Sequence, residues 1–259
     1  MPKQKPDNTG EPARLPKGRR LYAIGDIHGT LGLLEDILAR IEDDLTARPP
    51  KGSAGLVFLG DYIDRGPSSA AVMARLAKLD LGGVDLICLK GNHEEVLQRF
   101  LADPVAVWPM WSTCGGAETL RSYGIKPPAR FTGQKTIRAA SRKLAKAIPK
   151  AVTSWLKDLK LSHREGDYLF VHAGVRPDVA LKKQNERDLL WIRDDFLTCD
   201  KSFGPTIVHG HTPRPEPVVN PNRIGIDTMA YSTGTLTCLV LQKDRRSIIQ
   251  TGVKGHRPL

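Results

Sequence analysis

Five short segments of the 259-residue chain place Asp, Asn or His beside glycine: GDIHG at 25–29, GDYIDRG at 60–66, GNHEE at 91–95, HAG at 172–174 and HGHT at 209–212. Mixed Asp and His donors suit first-row divalent ions of the manganese, iron or zinc kind, whereas an all-oxygen set suits calcium. Two such ions about 3.5–4 Å apart can share a carboxylate and a hydroxide and together clamp a phosphoryl oxygen. Taken singly, an Asp after a strand reads as a turn or helix cap, and a His as a satisfied core group. Six donors drawn from five segments are what a dinuclear centre requires.

Such donors must be delivered to one place, and the surrounding pattern does this. Apolar runs at Arg20–Ile24, 56–59, 84–89, Tyr168–Val171, 206–208 and 224–226 each end at or just before one of these residues or Asp227, and a run at 236–241 closes the series. Helical patterns alternate with them. Leu34, Ile37, Leu38, Ile41 and Leu45 recur at helical spacing, and Pro67 stands where a first helical turn begins. Strand–helix alternation predicts an α/β fold, whose ligands bind beyond the carboxyl ends of strands. No linker or repeat interrupts the chain after residue 20. The expected layout is a flexible basic tail over residues 1–18, one catalytic domain over 19–245 and a C-terminal tail over 246–259.

Composition bounds the function less tightly. With 40% hydrophobic and 26% charged residues, the chain is an ordinary globular one, and no apolar run is long enough to span a bilayer. The formal charge of +11, from 39 Lys and Arg against 28 Asp and Glu, points to an anionic partner: nucleic acid, phospholipid or a phosphorylated substrate. Much of the excess lies in residues 1–20 and 126–164. In the latter, Ile137, Ala140, Leu144 and Ile148 mark one face of a helix and Arg138, Arg142, Lys143 and Lys146 the others. Such a run is more often a solvated face than a binding surface, and it lacks the interleaved aromatics of a single-strand binder. The four cysteines are scattered without a CxxC pair and the N-terminus lacks an apolar h-region, which reads as a cytoplasmic protein.

The combination GDxHG, GDxxDRG and GNHE resembles the phosphoprotein phosphatase family of metallophosphoesterases, with HAG and GHT fitting the same pattern over residues 20–241. WSTCGGAETLRSYG at 111–124 and LLWIRDDF at 189–196 look like its bacterial branch, which includes serine/threonine phosphatases and symmetrical dinucleoside tetraphosphatases. The resemblance implies a two-sheet sandwich flanked by helices, with metals at the strand ends. It implies that Asp26 and His28 bind one ion, that Asp61 bridges both, and that Asn92, His172 and His211 bind the second. His211 is preferred to His209 on the family pattern alone. It further implies that His93 is the general acid, held in its tautomer by Asp64, and that Arg65 forks onto phosphoryl oxygens; a local Asp64–Arg65 ion pair is the plainer alternative. Arg193 is a candidate second phosphate clamp, or an ordinary surface arginine. Trp191 and the 111–123 stretch read as packing, and Asp227 as a ligand orienter or a turn residue.

Two divalent ions are therefore expected, manganese first and iron or zinc after it. The first functional reading is hydrolysis of phosphoserine and phosphothreonine monoesters by direct attack of a metal-bridging hydroxide. The alternative is a symmetrical dinucleoside tetraphosphate hydrolase using the same site. A nucleic-acid-binding module or nuclease ranks third, since a binding module needs no dinuclear centre. No cysteine-based phosphatase arrangement is present.

Overall fold

The computed structural model describes residues 12–259. In chain order its first half comprises β1 (Arg20–Ile24), α1 (Leu31–Ala47), β2 (Ala54–Phe58), α2 (Ser69–Leu76), β3 (Val84–Cys88), α3 (Asn92–Ala102), α4 (Pro104–Trp111), α5 (Gly116–Ser122), α6 (Gln134–Ala147) and α7 (Lys150–Asp158). There follow β4 (Ser162–Glu165), β5 (Tyr168–Val171), α8 (Glu186–Trp191), α9 (Asp194–Leu197), β6 (Thr206–His209), β7 (Val218–Val219), β8 (Arg223–Gly225), α10 (Ala230–Thr233), β9 (Thr237–Gln242), β10 (Arg245–Gln250) and β11 (Arg257–Pro258).

The strands form two mixed sheets, ordered β11-β10-β9-β1-β2-β3 and β4-β5-β6-β8-β7. Alternation along β1 shows why they stack. Leu21 and Ala23 face Tyr168, Phe170, Val208, Ile224 and Ile226 of the second sheet, whereas Tyr22 and Ile24 face the helical layer with Leu34, Ile37 and Ile41 of α1. With both faces covered, the strand is apolar from Leu21 to Ile24 apart from the Tyr22 hydroxyl. The outer face of the second sheet packs Val171 and Ile207 under Leu189 and Phe196 of α8 and α9. The result is a helix–sheet–sheet–helix sandwich, the α/β architecture expected.

Parallel pairing sets the position of the functional segments. Ile24 pairs with Phe58 and Phe58 with Cys88, so β1, β2 and β3 end level and release their following loops at one edge. Strands β5, β6 and β8 run parallel and end at the same edge of the other sheet.

Both expected tails need correction. Residues 1–11 lie outside the described residues, but Leu15 is buried in the core between the sheets and its amide bonds to the Lys243 carbonyl. Residues 246–259 are no tail: β10 pairs along its length with β9, burying Ile248 and Ile249. Basic residues within RRSIIQ mask its apolar pattern in the sequence. On α6, Ile137, Ala140 and Leu144 pack inward and Arg138, Arg142, Lys143 and Lys146 face solvent.

At the end of the first sheet remote from the strand-end loops, Asp44 is a buried anchor. It accepts hydrogen bonds from Tyr22 Oη (2.6 Å) and Arg20 Nη1 (3.1 Å) and pairs with Arg48. Asp44→Ala leaves the buried Arg20 guanidinium without its counter-charge, and a loss of about 3–5 kcal/mol in unfolding free energy is expected. Denaturant titration of the variant checks this.

Candidate active site

Backbone strain converges where the strand-end loops meet. Eight described non-glycine residues have positive φ, and six of them are at this edge: His28, Asp61, Asp64, Arg65, His211 and Met229. Left-handed backbone at side chains of this kind costs energy and is retained where function over-determines the geometry. The loops are stitched together by their own amides. Ile27 and His28 donate to the Asp61 carbonyl (3.0 and 2.9 Å), and Gly66 donates to the His28 carbonyl (3.1 Å). At Gly210 a Cβ would collide with the Asp26 carboxylate, so only glycine lets the second sheet approach the first this closely.

Two groups of buried metal-type donors result, His28–Asp61–His93 and Asp61–His172–His211, with Asp61 common to both. These triads are what a dinuclear metal site needs. The donor chemistry fits cations as well. His28 Nδ1 donates to the Ile63 carbonyl (2.8 Å) and His172 Nδ1 to the Leu59 carbonyl (2.9 Å), so the lone pair of each ring lies on Nε2. His28 Nε2 is buried without a hydrogen-bond partner, and so is His211 Nε2. His172 Nε2 faces Asn92 Oδ1 at 2.8 Å, two electron-rich atoms with no proton between them, and Asn92 Oδ1 also lies 2.8 Å from His211 Nδ1. Two acceptors converging in a buried site call for a cation.

Electrostatics favours the same reading. Burial first, and then nearby positive charge (His93 and Arg65 at His28, His93 and Arg193 at His172, His172 and Arg193 at His211), holds the three imidazoles below their usual range and favours the unprotonated form that a metal requires. Burial opposes the charge of Asp61, but attraction to the histidines facing it, His172 and the readily protonated His93 foremost, holds its carboxyl below the ordinary range. Burial raises Asp26 well above the ordinary carboxylate range, with the charges of Asp227 and Asp61 adding to it.

Each residue expected from the sequence can now be placed. Asp61, His28, His172, His211 and Asn92 come together as described. Asp26 is buried at the same edge, but its carboxylate accepts from the His211 amide (3.0 Å), and His93 stands in its expected place in the first triad. His209 lies away from the cluster, its ring against Phe196 at 5.0 Å. His93 Nδ1 bonds to Asp64 Oδ2 at 2.6 Å, while its Nε2 lies 3.7 Å from Asp61 Oδ2 and 3.4 Å from Arg65 Nη2. Burial lowers the His93 pKa, but the Asp61 charge and the Asp64 bond prevail and raise it to about 9. Arg193 is exposed at the start of α9, near enough for its charge to act on His172 and His211. Asp227 serves the turn by accepting from the Met229 amide (3.0 Å) while lying beside Asp26.

Several participants were missed in the sequence. The 111–123 stretch does pack, with Trp111 fully buried against Phe100, but Trp111 Nε1 also donates to Asp64 Oδ2 (2.8 Å) and Thr119 Oγ1 to Asp64 Oδ1 (2.5 Å). Asp64 is thus gripped from α4 and α5 as well as by His93. Glu94, quoted within GNHEE but given no role, accepts from the amides of Asp61 (2.9 Å), Tyr62 (2.9 Å) and Gly91 (3.0 Å) and so shapes the turn that presents Asp61. Its position three residues into α3, after Gly91, is the capping-box signal that could have found it. Tyr231 sits beside His28, with ring centroids 5.4 Å apart.

The calcineurin-like phosphoesterase family profile matches residues 19–231. A symmetrical bis(5'-nucleosyl)-tetraphosphatase of Methylococcus capsulatus is 25% identical over 92% of this chain and 72% of its own. An asymmetrical bis(5'-nucleosyl)-tetraphosphatase, PrpE of Anoxybacillus flavithermus, is 30% identical over 83% of this chain and 88% of its own. A crystal structure described as that of a proposed diadenosine tetraphosphatase superposes with a TM-score of 0.60 at 21% identity, covering 94% of this chain and all of the other, and shows the shared fold. The chain belongs to the calcineurin-like phosphoesterase family and is a metal-dependent phosphoesterase.

Because Asp61 serves both triads, Asp61→Ala is expected to bring bound metal from about two ions per chain to near zero, and His211→Ala to about one. Elemental analysis of gel-filtered, manganese-equilibrated protein measures both.

Proposed function

From that membership, we propose that the chain hydrolyses a phosphoanhydride bond of dinucleoside tetraphosphates. The observation that carries this reading is the likeness along most of the chain to bis(5'-nucleosyl)-tetraphosphatases. The site's charge layout supports it: Arg65 stands beside the His28–Asp61–His93 triad, and the Arg193 charge acts on the His172–His211 side. A monoester presents one phosphoryl group, whereas a polyphosphate laid across the cluster meets a cation on either side. This reading takes precedence over protein phosphatase activity, the first expectation from sequence.

Asp26, His28, Asp61, Asn92, His172 and His211 are assigned to holding two divalent ions, manganese being the first choice. Those ions supply Lewis acidity toward the phosphoryl oxygens and make a water nucleophilic near neutral pH. Arg65 offers planar paired donors to two oxygens of one phosphoryl group, a fit lysine cannot copy. As the P–O bond to the leaving phosphate breaks, its electron pair goes to that oxygen, and His93 Nε2 delivers the proton. Asp64, accepting from His93 Nδ1, keeps Nε2 turned toward the reacting group. Trp111 and Thr119 fix Asp64 in turn.

Manganese-loaded protein is expected to show a kcat/KM for diadenosine tetraphosphate at least about tenfold above that for a phosphothreonine peptide, a margin of about 1.4 kcal/mol in transition-state binding. The reverse order sinks the proposal, and chromatography of the nucleotide products locates the bond cut. His93→Ala is expected to lower turnover by roughly 10²–10⁴-fold with metal content intact; unchanged turnover removes the acid assignment.

A further inference from the structure

Arg65 differs from the arginines that carry structural ion pairs. Arg19 is secured by Asp85 and Glu165, Arg20 by Asp44 and Arg176 by Asp188 and Asp195, while Arg223 and Arg246 are held by backbone carbonyls or a tyrosine hydroxyl beside an aromatic ring. The half-buried Arg65 guanidinium instead has His93 Nε2 at 3.4 Å and the face of Tyr231, whose centroid lies 4.8 Å from Cζ. Among the described residues it has no ion pair within 4.0 Å. The difference has a chemical meaning. A carboxylate partner would neutralise the guanidinium and occupy its in-plane N–H donors. An aromatic face attracts the cation through its quadrupole and leaves those donors free.

Tyr231 is itself built to stay in place. It lies on α10, a single turn entered through left-handed Met229 (φ 55°) and left through left-handed Gly234 (φ 72°). The turn is cross-braced: Asp227 accepts from the Met229 amide, Thr233 Oγ1 donates to the Thr228 carbonyl (2.8 Å), and Thr228 Oγ1 donates to the Thr235 carbonyl (2.8 Å). Strained backbone at Met229 and this bracing present a residue that remains 40% exposed, with its ring edge-on against His28 at 5.4 Å. The contacts of Tyr231 with His28 and Arg65 are made by its ring. Core packing does not account for it, since a side chain this exposed is outside the core.

We propose that Tyr231 is a positioning residue, holding the Arg65 guanidinium at the metal cluster with its charge and donors kept available for a substrate phosphoryl group. The inference rests on the reading of Arg65 as the phosphate-binding arginine, and Tyr231 acts through it rather than on the reacting atoms. On the adjoining flank, Gly115 (φ 101°) packs against the Arg65 backbone so closely that a Cβ would strike it, leaving the side chain to be aimed by Tyr231.

The test uses the full chain loaded with manganese, with inorganic phosphate binding read by calorimetry and steady-state hydrolysis of diadenosine tetraphosphate read alongside. Tyr231→Leu is expected to weaken phosphate binding roughly 3- to 10-fold and to raise KM by a similar factor with a smaller change in kcat. Metal content and thermal midpoint stay as in the parent protein, which separates aiming from folding. Tyr231→Phe keeps the ring and is expected to bind within about twofold of the parent. Adding Tyr231→Leu to Arg65→Ala is expected to cost nothing further, because the ring acts only through the guanidinium. Weakened binding by Arg65→Ala with parental binding by Tyr231→Leu overturns the proposal and leaves the Arg65 reading standing, as do fully additive losses. Parental phosphate binding by Arg65→Ala overturns the Arg65 reading, and the proposal with it.

Discussion

The buried carboxylate of Asp61 is the constraint around which the rest of the molecule is arranged. It sits at the junction of two sheets, ringed by His28, His93, His172 and His211, and it is the one donor common to both metal-type triads. Presenting it there takes a left-handed backbone at Asp61, and Glu94 accepts from the consecutive amides of Asp61 and Tyr62. The level ends of β1, β2 and β3 then follow from need: His28 and Asn92 must reach the same point from β1 and β3, the strands on either side of β2. Strands β5 and β6 add the two imidazoles that complete the second group from the opposite sheet.

What could be read from sequence follows the physics of burial and of local spacing. Strands covered on both faces carry unbroken apolar runs, and their ends carry glycine beside a donor, so the two-layer core and nearly all the cluster were visible in 25–29, 60–66, 91–95, 172 and 209–212. β10 was not, because an edge-side strand carrying Arg245 and Arg246 looks polar and its pairing with β9 is a tertiary fact. The same holds for the surroundings of Asp64. Trp111 and Thr119 reach it from 47 and 55 residues away, across two helices, and no spacing rule links them to it. Tyr231 is hidden for a further reason: its placement depends on left-handed backbone at Met229, a residue type that gives no warning of it.

The charge that dominates the composition plays a smaller part than its size suggests. Many arginines are spent on structure, as with Arg20 at Asp44 and Arg176 at Asp188, and those of α6 face solvent around a helix whose apolar stripe is buried. The site draws on few cations. Arg65 stands beside the His28–Asp61–His93 triad, and the charge of Arg193 acts on His172 and His211.

The division of donors between the sheets has a mechanical consequence. His28 and His93 ride on the first sheet, His172 and His211 on the second, and Asp61 reaches across the seam. The spacing between the two groups is therefore set by how Leu21, Ala23 and Val57 interlock with Phe170, Val208 and Ile224 in the layer between the sheets. Close-packed interiors resist sliding and compression. That apolar layer acts as the gauge block of the centre: a change in thickness there, far from any donor atom, is felt as a change in the distance between the two donor groups.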